Sequence, residues 1–450
     1  MSTAVSNLAD EEISELDRLL KILFPITRSL TGDGNRETLR ILQKLVPLEL
    51  NEYPSGSTVY DWIIPPEWTI RDAYIKNASG DRIVDFNESN LHVVSYSTPV
   101  DLQLDFASLR PHLHTIESAG EVIPYRTTYY KRDWGFCVTR SQYEQLERSK
   151  GALSIKIDSA LNEGGSMTVA EFCVPGETSE EYLVSTYFCH PSMANDNLSG
   201  LLVTAFLARD MLRIGRPKKS WRFVFVPETI GAIAYLHSNE EAMKALAGGL
   251  VITTCGGPGP LGYKETFLGD HTVDRAIRLA FKEASIGPVR YPFVPDGSDE
   301  RQYSSPAFRV PVASITKDKY YEYKEYHTSR DNLDFVSGSQ IAESLSVYRR
   351  VLKILDGNEK FQSLQPFCEP QLGKRGLYPA VGGAINQMGA KPFLDLDSMM
   401  WILFLADGAN DLISISEKSG IEFSKIEFAA EQLKNADLIA TCDHQNAVTK

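Results

Sequence analysis

Between about residues 166 and 355, segments with the composition of strands alternate with segments that have the periodicity of helices. The strand-like segments include SMTVAEFCV, EYLVSTY, SWRFVFVPE, GGLVITTCGG and VPVASI, and the helix-like segments include LSGLLVTAFLARDML and SGSQIAESLSVYRRVLKIL. This alternation is typical of an α/β fold, in which helices cover the faces of a sheet. Ligands of such sheets bind in the crevice beyond the carboxyl ends of the strands. The sequence therefore predicts a site where His190, Glu228 and Cys255 follow strands.

The segments on either side of this region have other patterns. Residues 10–50 predict two amphipathic helices, whereas the region from about 55 to 160 is rich in β-branched and aromatic residues punctuated by Pro and Gly. After about residue 361, a stretch rich in Gly and Pro leads into a helix-turn-helix pattern. We predict an α/β core formed by residues 1–54 and 160–360, an inserted β-rich domain at 55–159, and a linker with a winged helix-turn-helix domain at 361–450.

Composition narrows the class of protein. The chain has 450 residues, of which 43% are hydrophobic and 23% charged, as in soluble globular proteins of two or three domains. Its net charge of -13 disfavours nucleic acid as a partner. The six cysteines include no C-x-x-C pair, which is typical of reduced thiols, and neither a signal sequence nor a membrane-spanning apolar run occurs. We therefore expect a cytoplasmic protein with no membrane partner.

The segment FCHPSMANDNLSG places a histidine and an aspartate six residues apart, directly before an apolar helix. Taken singly, each of its polar residues has an ordinary structural role, since Asp196 could cap the helix and His190 could be a hydrogen-bonded loop residue. Glu228 after the next strand and His327 in a later loop are equally ordinary alone. Together they form the set of groups that a catalytic zinc ion requires, namely imidazoles, a ligating carboxylate and a second carboxylate that takes a proton from water. On these residues alone, a metal loop and a polar turn both remain open.

Several motifs together resemble the zinc aminopeptidase family of bacterial leucyl aminopeptidases and glutaminyl cyclases. They are the strand ending in His190 with the NDNLSG that follows it, PETIGAIAYL, PDGSDERQY and YHTSRDNLD. RSLTGDGNRETL, VYDWIIPPEW and YYKRDWGFC extend the resemblance over nearly the whole chain to a bacterial family with an aminopeptidase-like core, an inserted β domain and a C-terminal winged helix. Members of that family are described as candidate peptidases or polysaccharide-biosynthesis proteins. The resemblance implies a mixed sheet flanked by helices.

The resemblance also implies roles for individual residues. His190, Asp196 and His327 would be metal ligands, with Asp196 able to bridge two ions, and Glu228 would be the general base. Three protein ligands suffice for one catalytic zinc ion, and two ions remain open. Whether Glu228 is a base or a fourth ligand also remains open.

Four positions depart from the family pattern. Thr229 stands where the family has a ligating Glu, and Ser192 stands where it has an Asp that orients the first imidazole. Thr254 or Cys255 lies nearest to the position of a ligating Asp, and the family's Ser-Asp-His motif has become Ser298-Asp299-Glu300. One ligand of each of two ions is therefore missing.

The remaining expectations concern the substrate and the partners. Arg301 and Tyr303 after GSDE, and Arg126 and Tyr129 in YRTTYY, are candidates to contact a small-molecule or peptide substrate. Residues 391–450 contain ten Asp and Glu but five Lys and Arg, a balance opposite to that needed for phosphate contacts. The winged helix is therefore expected to dock or to form a homo-oligomer rather than to bind DNA.

Three functions follow from these observations. The first is a zinc-dependent exopeptidase or amidohydrolase. The second is the hydrolysis or cyclisation of a non-peptide amide in a biosynthetic pathway. The third is a catalytically silent scaffold that acts through its winged helix.

Overall fold

A computed structural model describes residues 2–378 and 395–442, which form two units. The larger unit comprises residues 1–273 and 288–348, and the smaller one comprises residues 274–287 and 349–450. None of the helices within the described ranges is long and apolar enough to cross a membrane. The predicted boundaries after residues 54, 159 and 360 stay predictions.

The larger unit is built on an eight-stranded mixed sheet. Its strands, from one edge to the other, are Glu49–Pro54, Ser166–Val174, Ser220–Val226, Glu181–Tyr187, Gly248–Ile252, Val312–Lys317, Leu261–Lys264 and Val289–Tyr291. The four strands from Ser220–Val226 to Val312–Lys317 run parallel to one another. These central strands are almost entirely buried, in agreement with their continuous apolar runs.

Helices precede and follow these strands in the order that the alternating pattern predicts. The helices of the larger unit outside its β-rich region are Ser2–Leu23, Asp33–Leu42, Gly200–Ile214, Ile230–Ser238, Glu240–Lys244, Glu300–Tyr303 and the first part of Gly338–Gly357. Most of the helix Thr272–Glu283 belongs to the smaller unit. The helix Gly200–Ile214 has buried residues on all its faces at its start, and it packs on the strand Glu181–Tyr187 from which the chain enters it. This packing places the connecting loop, residues 188–199, at the carboxyl end of a central strand.

A second, antiparallel sheet comes from the β-rich region. Its strand order is Arg82–Asp85, Glu67–Lys76, Leu153–Asn162 and Val100–Leu104. The same region also contains two separate two-stranded sheets, Thr58–Val59 with Trp62–Ile63 (antiparallel) and Leu113–His114 with Phe136–Cys137 (parallel). Its short helices include Phe106–Leu109 and Arg140–Arg148. Trp68 and Ile155 of this sheet belong to the same apolar core as Leu183 and Val224 of the larger sheet.

The smaller unit contains the winged helix. Helices Leu396–Leu405, Leu412–Ser419 and Phe423–Asn435 pack on a sheet in which Lys360–Ser363 lies between Asp407–Asp411 and Ile439–Thr441. The side chain of Asp411 caps the second helix by accepting a hydrogen bond from the Ser414 N–H (2.8 Å), and Gly420 ends that helix at φ +73°. The predicted fold class, a mixed α/β sheet with helices and a C-terminal winged helix, is confirmed.

Candidate metal centre

The loop between the strand Glu181–Tyr187 and the helix Gly200–Ile214 carries the first two predicted ligands. Residues 188–200 are all buried, and His190 and Asp196 are 3% and 0% exposed. The loop is held from outside, because Arg28 Nε donates to the His190 carbonyl oxygen (3.0 Å). It is also held from the neighbouring strand, because the Thr254 N–H donates to Asn197 Oδ1 (3.1 Å). These bonds fix the backbone from which both side chains project.

The three predicted ligands converge although they are far apart in the sequence. Asp196 Oδ2 lies 2.9 Å from His327 Nε2 and 3.9 Å from His190 Nε2. One ligand atom from each of the three residues lies within 4.8 Å of the others. Atoms that share a zinc ion at 2.0–2.2 Å must be separated by a little over 3 Å, so the set is close to the spacing that an ion requires.

Two of these atoms have no aligned hydrogen-bond partner. Asp196 Oδ2 and His327 Nε2 are buried and lie 2.9 Å apart, but neither makes an aligned hydrogen bond with any residue in the described ranges 2–378 and 395–442. Buried polar atoms almost always have a hydrogen-bond partner. Two neighbouring buried atoms without an aligned partner therefore indicate a place where a ligand binds. Two imidazoles and a carboxylate form the donor set of a catalytic zinc site with an open position. The residues present therefore fit a zinc ion.

The electrostatic setting favours the ligating forms of the side chains. Burial lowers the pKa of His190 to about 4, so the imidazole is neutral at pH 7. Burial alone would raise the pKa of Asp196, but the neighbouring His190 and His327 and the hydrogen bond from Tyr187 outweigh it and lower the pKa to about 2. Asp196 is therefore an anion between two imidazoles.

Asp331, which sequence analysis did not single out, supports the metal loop from the opposite side. Its carboxylate accepts hydrogen bonds from the backbone N–H groups of Asn195 (2.5 Å) and Asp196 (2.9 Å) and from the Tyr323 hydroxyl (3.0 Å). Burial raises the pKa of Asp331 to about 7, although the two N–H groups oppose that shift. Asp331 lies in the same loop as the predicted ligand His327, four residues after it, and this position is the one indication of its role in the sequence.

We expect Asp331→Ala to destabilise the protein by about 2–5 kcal/mol, because two buried N–H groups lose their acceptor. Urea denaturation in the presence of a chelator measures this loss without a contribution from bound metal. Asp334→Ala is the matched control, since Asp334 is exposed in the same loop. Equal free energies of unfolding for the two variants would contradict the supporting role of Asp331.

Glu228 follows the strand Ser220–Val226 and faces the same centre. Its Oε2 lies 4.0 Å from His190 Nε2, and its side chain is 23% exposed. Burial of the carboxylate raises its pKa well above the ordinary value, and the charges of Asp299 and Asp196 raise it further. A carboxylate with a raised pKa is suited to accept and return a proton at neutral pH.

Two of the positions that depart from the family pattern, Thr229 and Glu300, have other hydrogen-bond partners in the structure. Thr229 has φ +65°, and its N–H donates to Asp299 Oδ1 (2.8 Å), which holds this left-handed turn next to Glu228. Glu300 is buried and accepts a hydrogen bond from Ser314 Oγ (2.8 Å). The Thr254 Oγ1 atom is buried without a partner in the described part of the chain.

A cavity of about 340 Å³ opens beside the three ligands. Its lining is mainly aromatic. The lining residues are Leu30, Trp62, Tyr129, Tyr130, Tyr187, His190, Glu228, Thr229, Ile230, Gly297, Ser298, Arg301, Tyr320, Tyr321, Tyr326 and His327. The volume is that of a pocket for a small molecule or for the end of a larger one.

Two of the four predicted substrate contacts lie at this cavity and two do not. Arg301 and Tyr129 line it. Tyr303 is fully buried in the apolar core, where its hydroxyl bonds to Ser185 Oγ (2.8 Å). Arg126 is exposed and does not line the cavity. Trp62, Leu30 and Ile230 line it without having been predicted, since nothing in their local sequence indicates a pocket.

The fold is shared with known proteins. The chain matches the model of a domain of unknown function (DUF4910) over residues 17–358 and that of a winged helix-turn-helix over residues 359–441. A Clostridium acetobutylicum protein named as a candidate polysaccharide biosynthesis protein with an aminopeptidase-like domain is 42% identical over 431 residues, which cover 96% of this chain and 97% of the relative. The chain therefore belongs to the DUF4910 family.

Solved structures with a similar fold include a close relative and a zinc aminopeptidase. The crystal structure of a candidate peptidase from Clostridium acetobutylicum has 40% identity and a TM-score of 0.88, covering 98% of this chain and 99% of its own. A zinc aminopeptidase from Bacillus subtilis has 14% identity and a TM-score of 0.56, covering 76% of this chain and 94% of its own. The predicted resemblance to aminopeptidase-like proteins with an added winged helix is confirmed.

Proposed function

We propose that the protein is a metal-dependent hydrolase that cleaves an amide bond. The observation that carries the proposal is the convergence of His190, Asp196 and His327, with two unsatisfied buried atoms, beside an aromatic cavity. The aminopeptidase-like fold of the family supports it. These three residues would hold one zinc ion, because three protein ligands leave a position open for water.

The residues divide the work of hydrolysis between them. Zinc, when bound, polarises the amide carbonyl and lowers the pKa of a water molecule. Glu228 accepts a proton from the attacking water and delivers it to the nitrogen of the leaving amine. Its raised pKa makes Glu228 a stronger base than an ordinary glutamate, which favours the first of these transfers. Arg301 and Tyr129 contact the substrate in the cavity.

A second candidate substrate class is a non-peptide amide such as an acylated amino sugar. Seven of the cavity-lining residues are Trp or Tyr, and within the described part of the chain only Leu30 and Ile230 of the lining are aliphatic. Aromatic faces with hydroxyl groups combine apolar contact with hydrogen bonding, which suits a polar ring better than an aliphatic side chain. The name of the Clostridium relative, with its reference to polysaccharide biosynthesis, is consistent with this class.

Metal content and a substrate comparison test the proposal. We expect elemental analysis to find about one zinc ion per chain, as three protein ligands can hold one catalytic ion. Amine release is then compared between aminoacyl nitroanilides and N-acylated amino sugars, and the Glu228→Gln variant, purified identically, corrects for contaminating peptidases. A wild-type protein that holds no metal and cleaves neither class would instead support a silent scaffold acting through its winged helix.

We expect a chelator to abolish the amide hydrolysis and added Zn²⁺ to restore it. Removal of the ion leaves Asp196 and His327 without the shared partner that their unsatisfied atoms require. Dialysis against a chelator followed by titration with Zn²⁺ measures this dependence. Unchanged activity after the metal content has fallen to zero would refute the zinc dependence.

A further inference from the structure

Cys189, next to the first predicted ligand, lies in an unusual position between two functional groups. Its Sγ atom is 3.6 Å from His190 Nδ1, and it accepts a hydrogen bond from the Glu228 backbone N–H at 3.3 Å. The side chain is 1% exposed and does not line the cavity. One buried sulfur atom therefore touches both the imidazole and the backbone of the proposed base.

The two nitrogens of His190 face different partners. Nε2 faces the metal centre, at 3.9 Å from Asp196 Oδ2 and 4.0 Å from Glu228 Oε2. A neutral imidazole carries one proton, so Nε2 is free to bind a metal only when the proton is on Nδ1. A proton on Nδ1 is stabilised by an acceptor, and ligating histidines almost always have one.

Among the described residues, no carboxylate is hydrogen-bonded to His190 Nδ1, and Ser192 occupies the position where the family has the orienting Asp. Ser192, two residues after His190, donates its hydroxyl proton to the Phe24 carbonyl oxygen (2.9 Å). The backbone oxygen of His190 accepts a hydrogen bond from Arg28 Nε (3.0 Å). The Cys189 sulfur is the acceptor that the structure places at Nδ1.

We propose that Cys189 is a positioning residue that holds His190 in the metal-binding tautomer and ties the Glu228 backbone to the same point. The inference rests on the proposed metal-dependent function. It assigns to a thiol the orienting role that a carboxylate has in related sites, and it makes the distance between the first ligand and the base depend on one side chain.

The test measures Zn²⁺ affinity by competition with a chromophoric chelator in the full-length protein. We expect Cys189→Ala to weaken binding by about 10–100-fold, the usual effect of removing an outer partner of a ligating histidine. Cys189→Ser is expected to recover part of the loss, since its hydroxyl oxygen is also an acceptor. Cys137→Ala is the matched control, because Cys137 is equally buried and has no hydrogen bond to His190 or Glu228 in the described ranges.

Co²⁺ substitution distinguishes positioning from direct ligation. We expect the visible bands of the Co²⁺ protein to shift in Cys189→Ala, without loss of a sulfur-to-metal charge-transfer band. Such a band in the wild type that disappears in the variant would overturn the inference, since Cys189 would then be a ligand. Equal Zn²⁺ affinities for wild type, Cys189→Ala and Cys189→Ser would also overturn it while leaving the proposed function intact.

Two further outcomes complete the test. A wild-type protein that binds no Zn²⁺ would overturn the proposed function and the inference with it. If Cys189→Ala does not fold, as judged by circular dichroism and gel filtration, the Zn²⁺ affinity of Cys189→Ser is the test of the inference. An affinity between those of the wild type and a His190→Ala variant supports the inference, and an affinity equal to that of the wild type contradicts it.

Discussion

Replacement of Glu228 by glutamine is expected to lower kcat for the amide substrate by about 10²–10⁴-fold, the usual contribution of a general base. Glutamine keeps the size of the side chain and its position 4.0 Å from His190 but cannot accept a proton. Because the three ligating side chains are untouched, we expect the zinc content to stay that of the wild type. Steady-state kinetics and elemental analysis on the same preparation measure both quantities.

The same variant separates the two roles that the sequence leaves open for Glu228. Loss of activity with full zinc content supports the base, whereas loss of activity together with zinc supports a fourth ligand. Glu322→Gln serves as the control, since Glu322 is exposed, pairs with Lys319 at 2.6 Å and does not line the cavity. Activity of Glu228→Gln equal to that of this control would eliminate Glu228 from the chemistry.

The alternating pattern predicts the class of fold but not the order of the strands. Ser166–Val174 and Glu181–Tyr187 are consecutive in the sequence, yet Ser220–Val226 lies between them, antiparallel to the first and parallel to the second. Local periodicity reports which faces of a strand are buried and carries no information about its neighbours. The pairing depends on contacts made far along the chain.

Local patterns also indicate only part of the site. His190, Asp196 and Glu228 follow strands of the central sheet, and the carboxyl ends of parallel strands meet at one edge. His327 lies in a loop instead, where its carbonyl oxygen accepts a hydrogen bond from the Tyr125 N–H (2.8 Å) and its φ is +52°. That position depends on contact with the β-rich region, which no local pattern shows.

Arg301 and Tyr303 show how the geometry of a short helix limits prediction from a motif. Both belong to the helix Glu300–Tyr303, and residues two positions apart on a helix point to nearly opposite sides. Arg301 consequently reaches the cavity and bonds to Thr229 Oγ1 (3.3 Å), while Tyr303 enters the core. The motif leads to a segment that lies at the cavity, but the direction of each side chain on the helix decides which residue lines it.

Replacement of His327 by alanine is expected to weaken Zn²⁺ binding by about 10²–10³-fold, one ligand's share of the binding free energy of a structural zinc site. His327 Nε2 is 2.9 Å from Asp196 Oδ2, so its loss opens the centre without touching the buried metal loop. The side chain is 34% exposed, and we therefore expect the variant to fold. Isothermal titration with Zn²⁺ measures the affinity.

Exogenous imidazole makes this prediction specific to the ligand role of His327. Because the side chain lines the cavity, its removal leaves a space that free imidazole can enter from solvent. We expect millimolar imidazole to restore a measurable part of the Zn²⁺ affinity and of the amide hydrolysis in His327→Ala, with no effect on His237→Ala, whose histidine is exposed and packs against Tyr60. If His327→Ala binds Zn²⁺ as tightly as this control, His327 is not a ligand of the ion, and the three-ligand site that carries the hydrolase assignment loses its basis.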